Sequence, residues 1–145
     1  MAPKMIFVAN SRKEGNSTSK GPDNRFTGDV WLDSIFNDKQ NTIANVTFSG
    51  LKEAYWFCWL TTNFVGARHT HEGGQLIKVL SGSGWVCDRG DKPKRLRVGD
   101  TVWCPPGTEH WHGADDESMM SHFVHAHGAV DWLEPVSDED YKAKK

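Results

Sequence analysis

The chain has little cysteine, little excess charge and no long apolar run. Its three cysteines, Cys58, Cys87 and Cys104, are odd in number and lack the paired spacing of a thiolate metal site. They argue against a disulfide framework and for a reducing, cytoplasmic setting. Cys104 is expected to be a buried, inert thiol. A formal net charge of −2 and a pI near 6.4 leave no electrostatic footprint for nucleic acid or an anionic membrane. The apolar stretch Met5-Ile-Phe-Val-Ala9 is too short for a secretory core or a membrane span. The lysines near the end, Lys142, Lys144 and Lys145, read as a solvated tail. No internal repeat and no long linker divides the sequence. What remains is a soluble chain of 145 residues, long enough to bury one core. We divide it into an arm or loop over 1–25, one domain over 26–136 and a short tail over 137–145.

Helical periodicity is scarce too, and strand signals are frequent. Alternation over 26–36, Ile43 to Phe48, Arg68 to Glu72, Gln75 to Ser81, Gly84 to Cys87, Thr101 to Cys104 and Ser118 to His127 predicts strands, with another at Val130 to Leu133. Asp88-Arg-Gly-Asp91 and Gly99-Asp100 predict turns, with a return strand starting over Pro93 to Leu96. Tyr55-Trp-Phe-Cys-Trp-Leu60 is a continuous aromatic run, read as a buried strand within 54–64 or a subunit interface. Ser137 followed by Asp138-Glu139-Asp140-Tyr141 predicts a capped final helical turn. Many short strands punctuated by Gly and Pro make the fold all-β, a sandwich or barrel.

Two short stretches carry chemistry. His69-Thr70-His71 places two imidazoles on one face of a strand, because side chains alternate. Gln75, just past Gly73-Gly74, can return an amide oxygen to that face. Pro105-Pro106-Gly107 is a turn, and His110 follows it. Three neutral imidazoles and one oxygen form a first shell for Zn, Mn, Fe, Ni or Cu, with positions open to water or substrate. Packing of these histidines inside a barrel is the alternative, and it accounts poorly for so many matched spacings.

In this order the stretches resemble the two signature motifs of the cupin superfamily. Gly66, His69, His71, Gln75 and Gly82 follow the first; Gly99, Pro105, Gly107 and His110 follow the second. The resemblance implies a cupin-type antiparallel β-barrel, a double-stranded β-helix or jelly roll. The usual glutamate ligand is replaced by Gln75, which leaves the cation its full charge and acidifies a bound hydroxyl further. More closely, the chain is similar to small single-domain cupins that include the manganese-dependent bacterial hydroxynitrile lyases. Phe26-Thr27-Gly28, Val46-Thr47-Phe48, Gly99-Asp100-Thr-Val-Trp103, His110-Trp-His-Gly-Ala114 and Val130-Asp131-Trp132 match; an insertion between Phe48 and Gly66 departs. The resemblance makes manganese the expected metal, with His69, His71, Gln75 and His110 as ligands. It also implies that His112 and His122 lie in the cavity without binding it.

The residues agree in part. His112 is two positions after His110 and shares its inward face. His122 shares an apolar stripe with Met120, Val124 and Ala126, as a proton-transfer group or as a core histidine bonded to backbone. His125 and His127 fall on the opposite face, on the surface or at an interface, whereas Trp103 and Trp111 read as core. The expected function is a metal-dependent lyase on a small hydroxyl-bearing substrate, by hydroxynitrile-lyase-like C–C cleavage. The metal is the Lewis acid and His112 or His122 the general base. An Fe(II) or Cu(II) oxygenase is the second reading. An isomerase, decarboxylase or dehydratase of a specialised pathway is the third, and a non-enzymic binding module the fourth. The partners expected are a small-molecule substrate and further copies of the chain, as a dimer or tetramer.

Overall fold

The computed structural model describes residues 4–9, 15, 17–49 and 65–144. The aromatic run at 55–60, the strand expected over 54–64 and Cys58 lie outside the described residues. Within them the chain forms β1 (Ser19–Lys20), β2 (Phe26–Thr27), β3 (Val30–Asn37), β4 (Asn41–Phe48), β5 (Val65–Gly66) and β6 (His69–His71). It continues through β7 (Gln75–Asp88), β8 (Lys94–Arg97), β9 (Thr101–Cys104), β10 (His110–Ala114), β11 (Met120–His127), β12 (Val130–Trp132) and α1 (Asp138–Lys142).

Every strand pairing is antiparallel, and the order β1-β3-β4-β11-β7-β10-β5-β2 curls the sheet into the expected jelly-roll barrel. Alternation drives the curl. Ala44, Val46 and Phe48 of β4 point inward beside Met120, Val124 and Ala126 of β11. Facing residues of β7, notably Ile77 and Val79, complete the apolar interior. Removing the valine, isoleucine, phenylalanine and methionine side chains among them from water stabilises the barrel by roughly 1.5–3 kcal/mol each.

β7 corrects the sequence reading, which broke it in two. It is one strand that serves both layers: its first half pairs with β11 and β9, its second with β10 and β8. The corner is Gly82, at φ 74°. A Cβ there would sit 1.7 Å from the Met119 carbonyl oxygen, so only glycine lets β11 approach this closely.

A smaller apolar cluster of Val65, Cys87, Trp111, Val136 and Tyr141 lies apart from the main core. The predicted final turn covers it. Ser137 caps α1 by accepting from the Asp140 N–H at 3.1 Å, and Tyr141 donates to the Ala114 carbonyl at 2.9 Å. The tail lysines are not all solvated: Lys144 is buried, with Nζ 2.6 Å from Asp116 and 3.3 Å from the Tyr141 ring centroid. Among the described residues no helix is long and apolar enough to cross a membrane.

Candidate metal centre

Three local devices bring the two sequence stretches together. β6 and β10 pair with His69 opposite His110, so the ring centroids stand 4.4 Å apart. The Pro105-Pro106-Gly107 turn closes on itself through the Thr108 N–H to the Pro105 carbonyl at 3.1 Å. The same turn docks on the first stretch, the Gly107 N–H donating to the His71 carbonyl at 3.0 Å. Gly74, at φ 87°, reverses the chain after β6 and starts β7 at the buried Gln75.

One ring nitrogen each of His69, His71 and His110 consequently lies within 4.8 Å of the others, a grouping that could hold a metal ion. His69 Nδ1 is 2.8 Å from the Ala67 carbonyl and His110 Nδ1 is 3.0 Å from that of Thr108. Only an N–H can satisfy a carbonyl, so both rings carry the proton on Nδ1 and turn an Nε2 lone pair inward. His71 has both ring nitrogens buried without a partner. His110 Nε2 faces Gln75 Oε1 at 2.9 Å. Two lone pairs repel at that distance; rotating the amide by half a turn relieves the repulsion, and so does a cation held by both atoms. Burial pushes His69 down to about 3 and His71 to about 4, helped in both by the neighbouring His110, and it lowers His110 as well. The three rings are thus neutral at physiological pH, the form that ligates metal. The donor set fits a divalent transition ion.

A cavity of about 400 Å³ opens onto His69, His71 and Gln75. Its walls include the apolar Leu32, Val46 and Val124, with His112 beside the ligands at 5.3 Å from the His69 ring. His122 is placed differently. It is fully buried, stacks on Phe48 at 5.5 Å and meets the His112 ring at 4.8 Å, but it is not on the cavity wall. Neither of its nitrogens has a partner, so the backbone bond expected of a core histidine is absent among the described residues. Burial lowers it to about 3 and holds His112 well below the usual range, where the nearby imidazoles add to the effect.

Other expectations divide. Trp111 is wholly buried, but Trp103 is 50% exposed and not core. On β9 the inward position belongs to Cys104, and the Trp103 indole lies over Gly74 instead. Cys104 is buried, and burial pushes its thiol up to about 12. His125 and His127 are half-buried on the outer face, their rings 4.1 Å apart. Two residues escaped the sequence reading. Trp132 lines the cavity with its ring 4.9 Å from that of His69, because β12 pairs with β6 in register. Arg68, next to a ligand, is buried and bonds Asp140 of α1 at 2.8 Å. Neither carries a local motif; the pairing of short strands exposes both.

Known proteins resemble this chain in sequence and in fold. A family model described as the cupin domain matches residues 60–126. An (R)-mandelonitrile lyase from Granulicella tundricola is 34% identical over 138 residues, covering 90% of this chain and 96% of the relative. A cupin-like protein from Thermotoga maritima superposes with a TM-score of 0.75 at 28% identity, covering 90% of this chain and 95% of that one. A polyketide cyclase from Streptomyces resistomycificus shares the fold at 12% identity, with a TM-score of 0.60 over 97% of this chain and 92% of its own. With the barrel, the paired motif stretches and these matches together, the chain belongs to the cupin family.

Proposed function

We propose that this cupin is a metal-dependent lyase, cleaving a C–C bond next to the hydroxyl of a small substrate as a hydroxynitrile lyase does. His69, His71, Gln75 and His110 would hold one divalent transition metal, manganese by resemblance. One observation carries the reading: three neutral imidazoles and an amide oxygen converge beside a cavity lined by His69, His71 and Gln75, in a chain 34% identical over 138 residues to an (R)-mandelonitrile lyase. When bound, the cation supplies Lewis acidity that lowers the pKa of a nearby hydroxyl. The remaining work falls to the chain. His112, neutral and beside the ligands, accepts the hydroxyl proton. The carbonyl forms as the C–C bond breaks, and the bond pair leaves on the small anion. His112 returns its proton to that anion, giving an aldehyde or ketone and a neutral acid. His122, fully buried, packs against the His112 ring and does not line the cavity among the described residues, so the proton transfer is assigned to His112.

Protein expressed without added metal should carry about one equivalent of a transition ion by elemental analysis. It should release cyanide from mandelonitrile, and chelation followed by removal of the chelator should abolish that release until metal is restored. Turnover should be the same with and without oxygen, which an oxygenase could not match. Cyanide release no faster than in the stripped control would remove the lyase reading. His112→Ala should lose about 10²–10⁴-fold in kcat while retaining metal.

A further inference from the structure

The reading above leaves the substrate's other end unassigned. The cavity is about 400 Å³, within the range of roughly 300–1,000 Å³ that suits drug-sized ligands. Among the described residues no aspartate or glutamate lines it, and its one permanently charged side chain is Arg25. That is notable in a chain whose net charge is −2. Three other arginines are neutralised by carboxylates, Arg68 by Asp140, Arg89 by Glu109 and Glu134, and Arg95 by Asp115, while Arg97 does not line the cavity. Arg25 has no carboxylate partner among the described residues. It rests on an aromatic face, its guanidinium carbon 5.3 Å from the Trp132 ring centroid. Trp132 in turn lies 4.9 Å from the His69 ring. An indole therefore separates the ligand cluster from a guanidinium whose hydrogen-bonding edge is uncommitted to any acid. The cation–π contact holds the group in place without neutralising it.

We propose that the substrate carries a carboxylate at the end remote from its reacting hydroxyl, and that Arg25 binds this group. The inference rests on the reading of the site as an enzyme's metal centre, since that reading sets where the hydroxyl lies. Arg25 is then a specificity-determining residue: it is exposed where it lines the cavity, and its planar guanidinium takes a carboxylate in a two-pronged bond that fixes orientation as well as supplying attraction.

The test compares two probes that differ only in the anionic group, benzyl alcohol and 4-(hydroxymethyl)benzoate. Each is titrated calorimetrically into metal-loaded and into metal-stripped protein. The carboxylated probe should bind wild type about tenfold more tightly than the neutral one. Arg25→Met should erase that preference, and Arg25→Lys should keep part of it. Equal affinities for the two probes in wild type, or a preference that survives Arg25→Met, would overturn the proposal. Should Arg25→Met not fold, a salt series on wild type decides. Binding of the carboxylated probe that weakens with salt while the neutral probe stays constant supports Arg25 recognition; two flat responses reject it. If the protein takes up no metal yet prefers the carboxylated probe, the metal-centre reading fails and the anion site stands.

Discussion

Gln75 is the residue whose chemistry departs most from the cupin pattern, and it makes a sharp prediction. A neutral amide leaves a bound dication with its full charge, whereas a carboxylate would neutralise part of it. Gln75→Glu should therefore slow loss of metal to a chelator and, at the same time, lower kcat, because the hydroxyl facing the cation becomes less acidic. The two effects run in opposite directions, so a variant that merely misfolded would not imitate them. Release half-life in excess chelator and the rate of cyanide release check the pair.

At the level of single elements, β7 depends on its corner. Gly82→Ala places a methyl group into the Met119 carbonyl and imposes an unfavourable φ. Stability should fall by more than about 1 kcal/mol, read as a lower denaturant midpoint with an unchanged slope. α1 is the other element with a defined attachment. Asp140 bonds Arg68, whose side chain is only 6% exposed and which immediately precedes the strand of His69. Asp140→Asn should destabilise by at most about 2 kcal/mol. This is less than the ~3–5 kcal/mol of a fully buried pair, because Asp140 itself is half in solvent. Chemical unfolding of the metal-stripped variant measures it without interference from binding.

For the molecule as a whole, burying several neutral histidines links stability to pH. His122 is the clearest case, held at about 3 in the fold against an ordinary value of 6.5. Between those values the unfolded chain binds a proton that the folded chain refuses. Stability is therefore full above about pH 6.5 and falls as the pH is lowered toward 3. Each such histidine adds a slope of up to ~1.4 kcal/mol per pH unit in that window. The urea midpoint of metal-stripped protein should drop steadily below pH 6.5, and His122→Leu should reduce the slope by up to one proton's worth. A midpoint independent of pH from 7 to 4 would mean that these rings are not held neutral.

What the sequence determined by itself was whatever depends on neighbours along the chain. Alternation placed His69 and His71 on one side of a strand, turn chemistry marked Pro105-Pro106-Gly107, and the cap at Ser137 announced α1. These rules act over two to four residues and need no partner. Tertiary structure decided everything that depends on which surface a face meets. Alternation put His122 and His112 on inward faces, but only the barrel's closure set one behind the other. It called Trp103 core, although the buried place on that strand went to Cys104. Gly82 looked like a gap between strands because a corner and a break share the same residue; only the proximity of β11 distinguishes them. Trp132 and Arg25 reach the cavity, and Arg68 reaches α1, through pairings between short strands distant in sequence. Such pairings arise from burial of the whole sheet, and no local pattern encodes them.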